Sequence, residues 1–124
     1  MYNINMHIKK TLKSFGYAIK GLTSTWREEP NFRIEVVVAV AVLFCMFYFN
    51  FTLAEIAFCI LVITMVLTAE IINTIIEDVC NKIEPNPDPF IEKIKDMASA
   101  FVLLSTLGSV AIGLIVFYNH FFLV

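Results

Sequence analysis

The sequence predicts an all-α membrane protein, with an N-terminal amphipathic surface helix followed by three transmembrane helices. Three observations lead there. Of the 124 residues, 59% are hydrophobic, twelve are Phe, and the mean hydropathy is +0.79, far more apolar than a soluble domain of this size needs. Stretches without Asp, Glu, Lys or Arg run from Val36 to Ala54, from Ile56 to Ala69 and from Met97 to Val124; with their flanks, each supplies the ~20 residues of a spanning helix. Finally, Lys and Arg occur only before the first stretch (Lys9, Lys10, Lys13, Lys20, Arg27, Arg33) and between the second and third (Lys82, Lys93, Lys95).

Residues 1–30 form the expected surface helix and turn. Ile4, Ile8, Leu12, Phe15, Ile19 and Leu22 recur every three or four residues, with the lysines off that stripe, which suits a helix lying on a leaflet. Trp26 fits an interfacial position. The charged cluster from Arg27 to Glu35 is broken by Pro30, expected to start the first span over residues 31–50. A short turn leads to the second span, 53–81, and then to a loop, 82–94, that holds three of the four prolines and is expected to be extended. The third span, 95–124, repeats Ser105, Ser109 and Gly113 every four residues, a small-residue face suited to close helix contact. By the positive-inside rule the N-terminus and the proline-rich loop face the cytoplasm, with the C-terminus outside. Three helices make a thin bundle, so self-association is expected. No cleavable signal peptide is evident.

The segment Leu67–Asn81 carries ionisable groups at the end of a long apolar run, where a bilayer tolerates them poorly. At 100° per residue Glu70, Asn73, Thr74, Glu77 and Asn81 share an arc of about 100°. One helix therefore presents them as a single polar stripe that can hold a metal ion. With the helix starting near Leu53, Glu70 lies roughly 25 Å and Glu77 roughly 36 Å along it. Against a hydrocarbon core of about 30 Å, they bracket the cytoplasmic boundary, so both can meet a water-soluble cosubstrate.

Other chemistries lack a motif. There is no phosphate-cradling Gly-rich loop, no His/Cys metal pattern and no internal repeat. The net charge of −2 argues against nucleic acid. Cys45, Cys59 and Cys80 are expected to be packing residues.

Glu70-Ile71-Ile72-Asn73-Thr74-Ile75-Ile76-Glu77, followed by Lys95-Asp96-Met97-Ala98-Ser99, resembles the paired signature of the small prokaryotic diacylglycerol kinases and the related undecaprenol kinases. Gly16-Tyr17, Lys20-Gly21-Leu22, Trp26, Glu29, Phe32, Arg33 and Glu35 resemble the family's segment before its first span. The resemblance implies a homotrimer in the bacterial cytoplasmic membrane, with active sites at subunit boundaries, that transfers the γ-phosphoryl group of ATP to a lipid hydroxyl. It further implies that Glu29 and Glu77 hold Mg²⁺ against the ATP phosphates and that Glu70 orients or deprotonates the lipid hydroxyl. Tyr17, Lys95 and Asp96 would join Glu29 and Glu77 at the nucleotide, while Lys10, Phe32, Glu35, Asn73 and Asn81 would support the site. Phosphoryl transfer of this kind rests on charge neutralisation and in-line positioning rather than covalent catalysis.

The sequence departs from the family at Asn81, where relatives usually carry Asp. Either the lost charge weakens metal or nucleotide binding, or Asp78, about 60° around the helix, takes its place. Phe101, where many relatives have a small residue, is expected to affect packing. Substrate signals are mixed: Glu35 resembles the diacylglycerol kinases and Asn31-Phe32 the undecaprenol kinases. Diacylglycerol, giving phosphatidic acid, is the leading expectation and undecaprenol the alternative. Composition alone favours a non-enzymatic membrane scaffold or pore. A scaffold, however, gives no reason for Glu29, Lys95 and Asp96 to accompany the Glu70–Glu77 stripe.

Overall fold

The structure, a computed structural model, describes residues 3–123. Four helices account for nearly all of them: α1 (Ile4–Glu28), α2 (Pro30–Tyr48), α3 (Leu53–Ile83) and α4 (Pro89–Phe122). The last three are long and apolar enough to cross a membrane. At 1.5 Å per residue, even the 19 residues of α2 extend about 28 Å, close to the thickness of a hydrocarbon core.

Each boundary has a local cause. The Asn3 side chain accepts from Asn5 N at the start of α1. Pro30 opens α2 at a position whose missing N–H costs nothing. The turn into α3 passes through Asn50 at φ 56°, a left-handed conformation that Asn tolerates better than most residues. Thr52 then starts α3 with a capping box: Glu55 N donates to Thr52 Oγ1 at 3.2 Å and Thr52 N to Glu55 Oε1 at 2.9 Å.

The connection between α3 and α4 is shorter than the 82–94 loop expected from sequence. Lys82 and Ile83 continue α3, and α4 begins at Pro89, leaving residues 84–88 between them. Asp88 accepts from Phe90 N and Ile91 N, both at 3.0 Å. Pro89 thus starts a helix rather than extending the loop.

Packing is sequential. α3 lies mainly against α4 and less extensively against α2, while α1 meets α2 near their junction. The apolar core sits toward the Asn50 end, where Met46, Phe51, Cys59 and Val116 are buried together. At the same end His120 stacks on Phe51 with ring centroids 3.7 Å apart. Its Nδ1 lies 3.2 Å from Glu55 Oε1 and its Nε2 3.0 Å from the Phe49 carbonyl. Midway along the bundle Ser109 Oγ lies 2.7 Å from Ser105 O and 3.2 Å from Val62 O, so one member of the small-residue face joins α4 to α3. Most large apolar side chains on the outer faces are exposed in the single chain, among them Phe44, Phe58, Leu104 and Ile115. Outward apolar side chains are what a bilayer solvates.

Candidate functional site

The site forms around α3 at the end opposite the Met46 core. Glu70 stands on the face turned inward and is only 5% exposed, with Ala69 and Thr74 buried beside it. The Thr74 hydroxyl donates to the Glu70 backbone carbonyl at 3.0 Å. That bond satisfies the hydroxyl within the helix and leaves the Glu70 carboxyl to the space between helices.

α2 supplies the facing group. The Glu35 and Glu70 carboxyls interact side chain to side chain, and the Glu29 carboxylate adds its field at Glu70. Glu35 Oε2 is buried with no hydrogen-bond partner among the described residues. Phe32, one turn before Glu35, is 5% exposed and anchors that end of α2. Glu35 and Glu70 thus meet from separate helices, with Glu29 near enough for its charge to act on Glu70.

Glu29 owes its place to the joint between α1 and α2, where it is both the last cap of one helix and the first of the next. Its N–H donates to Thr25 O at 2.9 Å, closing α1. Arg33 reaches back from α2, its Nη1 donating to Trp26 O at 2.8 Å and to Arg27 O at 2.9 Å. A guanidinium with several donors can cap two carbonyls of a helix end at once. Arg33 thereby fixes the angle of the joint and the position of Glu29. The Thr25 hydroxyl, buried at the same joint, bonds Gly21 O at 2.9 Å.

Farther along the stripe the side chains turn outward. Asn73 is half-buried, and Glu77 and Asn81 are exposed. Lys95, half-buried on α4, donates from Nζ to Asn81 Oδ1, linking the two helices across the 84–88 loop. Asp96 is exposed and borders a shallow depression with Pro89, Glu92, Lys93, Met97 and Ala100.

Two sequence-selected residues stay apart. Lys10 and Tyr17 are exposed on α1, and among the described residues no hydrogen bond or ion pair ties their side chains to α3 or α4. Tyr17 instead has the Lys20 ammonium 5.9 Å from its ring centroid. Nor does any set of three His, Cys, Asp or Glu side chains among the described residues gather as a metal cage.

The facing of Glu35 and Glu70 and the capping by Arg33 were not read from the sequence as contacts. Arg33 did carry a signal, as a cation three residues into a helix that begins at proline. Glu35 carried a weaker one: it is an acid at the margin of an apolar run.

An apolar crevice of about 500 Å³ leaves this site between α2, α3 and α4. It runs from Ile34 and Glu35 past Ala39, Val62 and Val66 to Phe117. Its lining covers Ile34–Val42 on α2 and Cys59–Leu67 on α3, about 12 Å along each axis.

The family described as prokaryotic diacylglycerol kinase matches residues 16–117. The chain is 32% identical over 110 residues to an undecaprenol kinase of Bacillus subtilis (strain 168), covering 89% of each protein. It is 28% identical over 121 residues to a diacylglycerol kinase of Escherichia coli (strain K12), covering 98% of this chain and 99% of the relative. A diacylglycerol kinase of Pseudomonas aeruginosa is 29% identical over 102 residues, 81% of this chain and 83% of the relative.

Proposed function

Because the chain belongs to the prokaryotic diacylglycerol kinase family, and is an ATP-dependent lipid kinase, we propose that its acceptor is diacylglycerol and its product phosphatidic acid. The observation that carries this reading is the position of Glu35, which faces Glu70 and also lines the mouth of the apolar crevice. A lipid with one chain in the crevice brings its polar end to the two carboxyls. Twelve ångströms is close to half of a ~30 Å hydrocarbon core, the depth of one leaflet.

In the reaction we infer, Glu70 accepts the proton of the lipid hydroxyl as the oxygen attacks the γ-phosphorus of ATP, and ADP leaves. Glu35 directs the hydroxyl through its unpartnered oxygen. Lys95 and Asp96 orient the nucleotide, with Tyr17 against it and Lys10 near its phosphates. Asn73 and Phe32 support the site. Burial of Glu70 among apolar neighbours keeps bulk water from competing as acceptor.

The donor set suits Mg²⁺. That ion is usually held by one or two carboxylates together with substrate phosphates, not by an all-protein cage, so Glu29 and Glu77, the pair the family resemblance implies, would be enough in number without a third ligand. Bound there, it would neutralise phosphate charge. In the homotrimer that the family resemblance implies, a neighbour's surface helix would bring Lys10 and Tyr17 to the site. The distribution of Lys and Arg supports a cytoplasmic site on the bacterial inner membrane.

Undecaprenol is the second reading, favoured by the 32% identity to the Bacillus subtilis enzyme and by Asn31-Phe32 at the start of the first span. Transfer from labelled ATP in mixed micelles, with both lipids offered side by side, tests the choice. Labelled phosphatidic acid is the expected product; label in undecaprenyl phosphate alone would replace the first reading with the second.

A further inference from the structure

The segment from Glu77 to Asp96 is rich in acids: Glu77, Asp78, Glu84, Asp88, Glu92 and Asp96 accompany Lys82, Lys93 and Lys95. Lys95 nevertheless makes no ion pair among the described residues. Its ammonium donates to the amide oxygen of Asn81 instead. Asn81 is one turn beyond Glu77 on the same face of α3, and the bond spans the short 84–88 loop between α3 and α4.

An ammonium has three donors and no acceptor. The amide of Asn81 engages one of them and fixes the direction of the stem without cancelling the charge. A carboxylate at the same place would also engage it, but as an ion pair that an incoming phosphate must displace, and it would add a negative charge where the polyphosphate arrives. We propose that Asn81 is a positioning residue for nucleotide binding, a neutral rest that holds the Lys95 ammonium toward the ATP phosphates with its charge available. The replacement of Asp by Asn in this chain is then an adjustment in favour of nucleotide affinity rather than a loss. This inference rests on the reading of Lys95 as a phosphate-binding group.

The test compares kcat and KM for ATP in mixed micelles for the wild type, Asn81→Asp, Asn81→Ala and Lys95→Met, at low and high ionic strength. Binding of a trinitrophenyl-ATP probe is followed in parallel, so that a variant with lost turnover still reports affinity. An exposed ion pair shifts an equilibrium up to about fivefold, so Asn81→Asp is expected to raise KM for ATP about fivefold, and KM more than it lowers kcat. That increase should shrink at high salt, where the added charge is screened, which a purely structural change would not do. Asn81→Ala is expected to raise KM by a smaller factor that salt does not alter.

An unchanged or lowered KM in Asn81→Asp overturns the proposal and makes Asn81 a weakened ligand position. Wild-type KM and probe affinity in Lys95→Met would also overturn it. That result would place the fault in the role given to Lys95. A strong Lys95→Met effect with inert Asn81 variants would place it in Asn81.

Discussion

Replacing Glu70 by Gln tests the centre of the proposed chemistry. Gln nearly preserves the volume of a side chain that is 5% exposed, and the Thr74 hydroxyl bonds the Glu70 backbone carbonyl, not its carboxyl. The helix therefore loses no hydrogen bond. Facing Glu35, the new amide's carbonyl oxygen can still accept where the carboxylate did, and a negative charge is removed from beside Glu29. Folding stability is thus expected to stay within about 1 kcal/mol, in the range of substitutions that create neither a cavity nor an unpaired buried group. Catalysis should change far more. A positioned general base contributes typically 10²–10⁴-fold, or about 3–5 kcal/mol of barrier, and an amide cannot accept the hydroxyl proton. Initial rates of phosphoryl transfer in mixed micelles, at saturating ATP and lipid, should fall by about that factor while trinitrophenyl-ATP affinity holds. Turnover within about threefold of wild type would refute Glu70 as the base. Loss of nucleotide affinity with the fold intact would move its role to the metal. Adding Glu35→Gln completes a double-mutant cycle, and because the two carboxyls interact, their effects on turnover should depart from additivity.

Glu77→Gln should abolish turnover with helix content and oligomer unchanged by circular dichroism and size exclusion; wild-type activity would remove Glu77 from the metal site. Stripping divalent ions with a chelator should stop transfer, and Mg²⁺ should restore it, whereas full activity in excess chelator would exclude the proposed Mg²⁺ role. At the other end of the bundle, His120→Ala removes a ring stacked on Phe51 together with its contacts to Glu55 and the Phe49 carbonyl. The stack alone accounts for a loss of about 1 kcal/mol. The loss should appear as a lower midpoint in detergent thermal unfolding, and an unchanged midpoint would show that the cluster adds no stability.

The helical plan was legible because it rests on local signals. Uncharged runs of bilayer length, Pro30 at a helix start and turn residues near Asn50 each act within a few positions, and the helices follow them closely. The connection after α3 differs from the sequence expectation for a local reason too. Pro85, Pro87 and Pro89 suggested one extended loop, but Asp88 directly before Pro89 is a helix N-cap followed by proline at N1, the combination that starts a helix. The Thr52–Glu55 capping box had the same kind of signature. His120 joining Glu55 had none, since 65 residues separate them and only the packing of α4 on α3 brings them together.

The polar stripe on α3 divides along the same line. Helical periodicity is enough to put Glu70, Asn73, Thr74, Glu77 and Asn81 on one face, because their relation is internal to a rigid element. It cannot give the rotation of α2 about its own axis, and that rotation decides whether Glu35 meets Glu70 or the lipid. In the structure Arg33 ties α2 back to the last carbonyls of α1, and Phe32 is buried beside it. Rotating α2 to expose Glu35 would have to break both. Those two residues, neither of them acidic, set which carboxyl faces Glu70. Asn81 shows the converse: beside the family's pattern it is a missing acid, whereas its contact with Lys95 on another helix, which the sequence does not show, is what the proposed positioning role rests on.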